Sequence, residues 1–180
     1  QHGSGHPTKD KGTKAWKHSF KNALFENGIG IFTADSFTGR GIRGTGKDQS
    51  KLTIASRVLD ALIALEAVAN HPRVNPQNIG IIGTSVGGYV SHLTSYEPIA
   101  DAVLPNGPRF VAHIGLYSGC HSKYRNYKPT GAPVLFLLGG ADDYTPAADC
   151  VALAENMKKG GGKVETKIYP KAHHTFISSK

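Results

Sequence analysis

The feature that most constrains the fold is a glycine-rich turn, Gly83-Thr84-Ser85-Val86-Gly87, between an apolar run and a helical pattern. The run Ile79–Ile82 predicts a buried strand, and a helix is predicted to open directly after the turn. So sharp a strand–turn–helix transition forces Ser85 into a strained backbone conformation and requires small flanking residues. We therefore predict an exposed, nucleophilic serine hydroxyl at the carboxyl end of this strand. A purely structural glycine turn is the alternative interpretation.

The rest of the chain alternates short apolar runs with longer helical patterns, as is typical of βαβ units. Near-continuous apolar runs indicate central parallel strands that are covered on both faces. The predicted strands span residues 29–34, 79–82, 110–116, 134–138 and 164–168, and the predicted helices span about 12–27, 51–69 and 146–160. This order predicts an α/β fold with a doubly wound, mostly parallel sheet in a single domain over residues 1–180.

Composition narrows the classes of partner. The 180 residues include 21 Lys and Arg against 13 Asp and Glu, for a formal net charge of +8. These positive residues are dispersed, without an aromatic-interleaved RNA motif, so we expect a solvated surface and no nucleic-acid partner. No apolar run approaches the ~20 residues that span a bilayer, so we expect no membrane partner. Because neither a CxxC pair nor a metal-ligand histidine spacing occurs, we expect no metal and no cofactor.

A nucleophilic serine needs a histidine base and an acid that orients it. The run Val134–Leu138 leads into Asp142 and Asp143, and the run Val164–Ile168 leads into His173 and His174. Parallel strands share their carboxyl edge, so both loops are expected beside Ser85. The order of these residues along the chain and the placement of their loops at one edge of the sheet predict a Ser–acid–His triad. The residues alone leave either aspartate as the acid and either histidine as the base.

Several motifs together resemble the dienelactone hydrolase branch of the α/β-hydrolases. They are His2-Gly3-Ser4-Gly5, Asp35-Ser36-Phe37, the serine turn with its additional Gly88, Gly139-Gly140-Ala141-Asp142 with Pro146, and Tyr169-Pro170 followed by His174-Thr175-Phe176. The resemblance covers nearly the whole chain and implies an α/β-hydrolase fold. In that family the acid lies four residues before the proline and the base two before the phenylalanine. The resemblance therefore selects Asp142 and His174, with Ser85 as nucleophile.

The resemblance also implies where an oxyanion hole would form. One donor is expected to be the backbone N–H of Val86, directly after the nucleophile. The second is expected from the His-Gly loop at the start of the chain, where Ser4 N–H is the first candidate and Gly3 and Gly5 are alternatives. A flexible N-terminal tail is the competing interpretation.

Substrate specificity is expected to differ from that of the family's type members. These use cysteine where this chain has Ser85, which is more similar to the esterase-like relatives. Type members also bind the substrate carboxylate with two arginines. The first lies four residues after the aspartate that matches Asp35, whereas Arg40 lies five after it, and the second corresponds to Ser178. Arg40 is the candidate substrate-binding residue, with simple solvent exposure as the alternative.

The two cysteines leave the redox compartment open. Cys120 and Cys150 follow neighbouring predicted strands, so a disulfide between them is sterically conceivable, and two free thiols are equally compatible. A bridge would favour a periplasmic or secreted protein over a cytoplasmic one.

These inferences predict a serine hydrolase that cleaves a small-molecule carboxylic ester or lactone through an acyl-enzyme. A prolyl-oligopeptidase-type peptidase and a non-catalytic binding protein of the same fold are the alternatives. In the family fold the His-Gly loop follows the third strand, so we expect N-terminal strands to be missing here. We also expect the domain to be incomplete at both termini.

Overall fold

The computed structural model describes residues 1–6 and 21–177. Its longer regular elements are helix α1 (Ile54–Ala69), strand β1 (Ile81–Thr84), helix α2 (Val86–Leu93), helix α3 (Glu97–Val103), strand β2 (His113–Leu116), strand β3 (Val134–Gly139), helix α4 (Ala147–Lys159) and strand β4 (Val164–Tyr169). Short 3-10 turns at Thr38–Arg40, Gln49–Lys51 and Pro76–Asn78 interrupt the connecting segments.

The four strands form one parallel sheet in the spatial order β1-β2-β3-β4. The register aligns Thr84 with Leu116, and Leu116 with Leu137. Because parallel strands end at a common edge, the loops after β1, β3 and β4 leave the sheet side by side. The predicted parallel α/β architecture is confirmed, and this edge is where the predicted site residues fall.

Strand positions agree with the prediction at β3 and β4 and are shifted at β1 and β2. Regular pairing begins at Ile81 rather than Ile79, and at His113 rather than Phe110. The hydrogen-bonded ladder nevertheless starts earlier, because Val111 N–H donates to the Ile79 carbonyl at 2.9 Å. The difference is one of strand boundaries, which are the least well determined part of any assignment.

The described helices cover one face of the sheet. Ile81, His113 and Val134 are register partners, so they share a face, and all three are buried. Helix α1 packs Val58, Ala61, Leu62 and Leu65 at the β1 end of this face, and helix α4 packs Cys150, Leu153, Ala154 and Met157 at the β3 end. His113, which the sequence predicts to be a core residue, is buried there with its Nδ1 2.9 Å from the Ser91 carbonyl oxygen.

The prediction of a buried strand over residues 29–34 is wrong. These residues are not in a strand, and Ile29, Ile31 and Phe32 are exposed, with 64% of Phe32 accessible. The outer edge of β1 contacts the chain's first residue instead, since Thr84 N–H donates to the Gln1 carbonyl at 3.3 Å. An apolar run becomes a strand only where a neighbouring strand accepts its backbone hydrogen bonds, and no described strand lies beside this segment.

The helix predicted over residues 12–27 falls largely outside the described residues. Residues 21–26 are helical, and Gly28 follows with φ 72°, the left-handed conformation expected of a glycine that ends a helix. Among the described helices, none is long and apolar enough to cross a membrane.

Cys120 and Cys150 form a disulfide. It joins the loop after β2 to the beginning of helix α4, so it braces the segment that carries Asp142. The pairing that the sequence left open is therefore made, which is compatible with an oxidising compartment.

Candidate active site

Ser85 lies at the point where strand β1 turns into helix α2. Its backbone has φ 52° and ψ −119°, a strained conformation for a residue with a side chain, as predicted. The predicted exposure is wrong, because the surrounding loops leave Ser85 only 9% accessible. Its N–H donates to the Leu116 carbonyl at 2.9 Å, which ties the turn to strand β2. The flanking glycines are required: a Cβ on Gly83 would lie 2.0 Å from the Gly87 carbonyl oxygen, and a Cβ on Gly87 would lie 2.3 Å from the Gln1 carbonyl oxygen.

The structure brings Ser85, His174 and Asp142 into one hydrogen-bonded chain. The Ser85 hydroxyl oxygen lies 3.1 Å from His174 Nε2, and His174 Nδ1 lies 2.9 Å from Asp142 Oδ2. An acceptor carboxylate at Nδ1 places the ring proton there and leaves Nε2 as the acceptor for the serine hydroxyl. The neighbours Asp143 and His173, which the residues alone left as alternatives, are both exposed and take no part in this chain.

The carboxylate of Asp142 is fixed by its own loop. Its side chain is fully buried, and Oδ1 accepts hydrogen bonds from the N–H groups of Tyr144 at 3.0 Å and Thr145 at 2.9 Å. Burial alone would raise the pKa of this carboxyl. The hydrogen bonds from Thr145 and His174 outweigh burial and hold the pKa below its ordinary value, so the carboxylate stays ionised.

Thr145 is a site residue that the sequence reading missed. Its hydroxyl lies 2.8 Å from Asp142 Oδ2, 3.1 Å from His174 Nδ1 and 3.1 Å from the Tyr117 carbonyl oxygen. It therefore connects the acid, the base and the loop after β2. A signal was available, because an aspartate followed three residues later by threonine is typical of a local side-chain turn.

Aromatic rings hold and flank the imidazole of His174. Tyr117 is buried and packs edge-on against it with ring centroids 5.0 Å apart, and the ring of Tyr144, 63% exposed, lies 4.9 Å away. Burial raises the pKa of Tyr117 to about 12, so this phenol stays neutral. Tyr117 and Thr175 have φ 36° and 63°, so strained backbone concentrates at this edge, as is common at functional sites.

The segment of residues 2–4 lies directly against the serine turn. A Cβ on Gly3 would lie 3.2 Å from the Thr84 carbonyl oxygen and 3.4 Å from Ser85 Cβ. The Ser4 carbonyl accepts from Thr45 N–H at 2.9 Å, and its hydroxyl accepts from the Gln49 side chain at 2.8 Å. The predicted oxyanion segment is thus anchored next to the nucleophile, which disfavours the interpretation as a flexible tail.

Arg40 is not brought together with the triad residues. Its guanidinium donates two hydrogen bonds to the carboxylate of Asp60 on helix α1, both at 2.8 Å, and a third to the Ser36 carbonyl. A role of Arg40 in substrate binding stays a prediction. The guanidinium would have to bind the substrate while it remains paired with Asp60.

The chain matches the model of the dienelactone hydrolase family over residues 12–180. It belongs to that family. The dienelactone hydrolase match covers the serine, acid and histidine segments and agrees with the resemblance that the motifs indicated. None of the curated proteins compared with the chain matches it significantly.

Solved structures with the same fold are esterases and a related hydrolase. Esterase Est2 from Thermogutta terrifontis with bound propionate has a TM-score of 0.60 at 22% identity, over 76% of this chain and 61% of that one. The same esterase phosphorylated by paraoxon has 0.57 at 26% identity, over 71% of this chain and 56% of that one. An acetyl ester-xyloside bifunctional hydrolase from Caldicellulosiruptor lactoaceticus has 0.52 at 18% identity, over 66% and 57%.

These alignments establish the α/β-hydrolase-like fold. The chain spans only part of the length of these structures, since the alignments cover 61%, 56% and 57% of the matched chains.

Proposed function

We propose that this chain carries the active site of a serine hydrolase that cleaves small carboxylic esters or lactones through an acyl-enzyme. The observation that carries the proposal is the hydrogen-bonded chain from Ser85 through His174 to the buried carboxylate of Asp142. Membership of the dienelactone hydrolase family and the fold shared with esterases support an ester as the substrate class.

In this mechanism His174 Nε2 takes the proton from Ser85 as the hydroxyl oxygen attacks the carbonyl carbon of the ester. Asp142, ionised because of its hydrogen bonds, keeps the imidazole in the required tautomer and stabilises its cationic form. The imidazolium then gives its proton to the departing alcohol oxygen as the ester bond breaks. Water attacks the acyl-enzyme with His174 again as the base, which releases the acid and restores Ser85.

The tetrahedral intermediates carry a negative charge on the former carbonyl oxygen. Val86 N–H, the first residue of helix α2, and Ser4 N–H are the proposed donors to this oxygen. The amino end of a helix favours negative charge, which adds to the effect of the Val86 donor. Ser4 lies in the segment that packs against Ser85, which supports its role as the second donor.

The proposed substrate is an uncharged ester rather than an anionic one. Arg40, the side chain predicted to attract a carboxylate, is neutralised by its bidentate pair with Asp60. The exposed ring of Tyr144 beside His174 offers an aromatic surface to the acyl or alcohol group instead.

Covalent labelling tests the proposal, because an organophosphorus probe forms a stable bond with an activated serine. The wild-type protein should be labelled by a fluorophosphonate at Ser85, as located by peptide mass spectrometry, and should hydrolyse short-chain esters faster than the matching anilides. Ser85→Ala should abolish both labelling and turnover, and Ser122→Ala, outside the triad, is the matched control. A folded wild-type protein that is neither labelled nor active on any ester of the panel would contradict the proposal, and preferred cleavage of the anilides would favour a peptidase.

A further inference from the structure

Arg57 is a buried cation without a partner carboxylate. It lies in helix α1 with 1% of its surface exposed, at a position that the helix turns toward the core. Among the described residues it forms no ion pair, and its Nε and Nη1 groups have no hydrogen-bond partner. Burial lowers the pKa of Arg57 to about 10, although the charge of Asp60 on the same helix opposes this shift. Burying a charge in this way costs stability, so a compensating role is expected.

The remaining nitrogen of Arg57 is directed at the segment beside the nucleophile. Nη2 donates a hydrogen bond to the His2 carbonyl and a second to the Gly3 carbonyl at 3.1 Å. The guanidinium also lies over the ring of Phe37, 5.4 Å from its centroid, and the same ring packs edge-on against His2. The hydrogen bonds of Arg57 thus reach residues that are more than fifty positions away in the chain.

His2 supplies a second donor to the same Gly3 carbonyl. Its Nε2 lies 3.4 Å from the Ser36 nitrogen and accepts from that N–H, so the ring proton is on Nδ1, which donates to the Gly3 carbonyl at 2.9 Å. Arg57 Nη2 also lies 3.3 Å from Nδ1, but both are then donors, and the shorter contact to the carbonyl is the hydrogen bond. Two donors from different elements therefore fix the direction of one carbonyl group.

A fixed carbonyl fixes the N–H of the same peptide group. In a trans peptide the C=O of one residue and the N–H of the next point in opposite directions. Because Arg57 and His2 hold the Gly3 carbonyl, the Ser4 N–H must point away from the guanidinium. Glycine rotates its backbone more freely than any other residue, so without these donors the Gly3–Ser4 peptide could turn its carbonyl toward the place where the oxyanion forms.

We infer that Arg57 is a positioning residue that holds the Gly3–Ser4 peptide with its N–H directed at the oxyanion. This inference rests on the proposed function, since it assigns Arg57 to the second donor of that site. Arg57 does not touch the reacting atoms. It acts through the orientation of one peptide group. The carboxylate of Asp60, one helical turn after Arg57, forms its ion pair with Arg40.

The central test compares Arg57→Met with wild type and with Arg73→Met, a change at an exposed arginine. Loss of one oxyanion donor lowers kcat by about 10²-fold or more, so Arg57→Met should lower kcat on a short-chain ester to that extent, with KM within about threefold. The acidic limb of the kcat profile, which reports the triad, should not move. Arg73→Met should behave as wild type.

A thionoester substrate separates a lost oxyanion donor from a general loss of structure. Its negative charge develops on sulfur, a weaker hydrogen-bond acceptor than oxygen. The rate ratio of ester to thionoester should therefore be high in wild type and should fall in Arg57→Met. An unchanged ratio in a folded Arg57→Met protein, or an unchanged kcat, would overturn the inference. Wild-type protein without labelling or ester turnover would instead refute the proposed function.

If Arg57→Met does not fold, a double-mutant cycle of Arg57→Lys with Ser4→Pro tests the same inference. Proline removes the Ser4 N–H itself. Arg57→Lys keeps a buried positive charge but replaces the planar guanidinium by a single ammonium group, which cannot reproduce the same hydrogen bonds. If both residues act through the same N–H, Arg57→Lys should lower kcat in wild type and cause no further loss in the Ser4→Pro background. Additive losses in the double variant would show that Arg57 acts elsewhere.

Discussion

The acid–base side of the site and the oxyanion side are held in place by different means. Asp142 and His174 follow neighbouring strands, and the acid is fixed by N–H groups two and three residues further along its own loop. A disulfide braces the same region. Residues 2–4 on the other side lie at the outer edge of β1, and the carbonyl groups of His2 and Gly3 depend on a guanidinium from helix α1.

This difference separates local from long-range support. The acid–base geometry is encoded in short stretches that fold as units with the sheet, so single substitutions there should change chemistry more than structure. The oxyanion geometry depends on contacts between distant parts of the chain, so it should respond to any change that loosens helix α1 or residues 2–4. Chemistry on one side and conformation on the other can therefore be disturbed separately.

The largest expected effect comes from Asp142→Asn. The two N–H donors of its loop can still bond the asparagine oxygen, so the fold should be retained, but the amide cannot stabilise the imidazolium and favours the wrong tautomer. We expect kcat/KM on a short-chain ester to fall by about 10⁴-fold, measured beside circular dichroism.

The neighbouring Asp143→Asn is the matched control for this change, because Asp143 is exposed and outside the hydrogen-bonded chain. It should keep activity within a few-fold of wild type. A greater loss in Asp143→Asn than in Asp142→Asn would reassign the acid.

The second effect tests the covalent brace of the acid–base side. The disulfide closes a loop with a sequence separation of 30, so its removal in a Cys120→Ser, Cys150→Ser double variant should lower the free energy of unfolding by about 3–4 kcal/mol. Denaturant unfolding with and without a thiol reductant measures the change. The reductant should destabilise wild type and leave the double variant unaffected, since the chain has two cysteines. Equal midpoints for wild type under both conditions would contradict the prediction.

Much of the acid–base side could be predicted from the sequence. Ser85, the two aspartates and the two histidines each follow a recognisable strand, and parallel strands bring such loops to one edge. The choice within each pair came from the resemblance to a family, because it depends on which way a side chain turns. In the structure Asp142 turns inward and Asp143 outward, and the residue after His174 has the left-handed φ of 63°.

The oxyanion side could be predicted only in part. The His-Gly motif indicated the segment, but nothing in the helical pattern of residues 54–69 distinguishes Arg57 from a surface arginine. Its burial is set by Phe37 and His2, which are distant in sequence. The error over residues 29–34 has the same origin: an apolar run shows that a segment can pair, and the neighbouring chain decides whether it does.

The last prediction is on pH dependence and concerns His2. Burial, followed by the charge of Arg57, lowers the pKa of His2 to about 3 from an ordinary 6.5. Between these values the unfolded chain binds a proton that the folded chain does not. The contribution of neutral His2 to stability is therefore complete above pH 6.5 and is lost as the pH falls toward 3, by about 1.4 kcal/mol per pH unit.

Two other buried histidines, His92 and His113, have their pKa values lowered to about 4 by burial, so wild type should lose stability steeply in this range. His2→Asn keeps a donor near the Nδ1 position and cannot titrate. Its unfolding free energy should therefore fall less steeply than that of wild type between pH 6.5 and 4, and the two slopes should differ by about 1.4 kcal/mol per pH unit. Denaturant unfolding at a series of pH values gives both slopes, with exposed His71→Asn as the matched control. Parallel slopes for wild type and His2→Asn would mean that His2 is protonated in the folded protein, so that its Nε2 could not accept the hydrogen bond from Ser36 N–H.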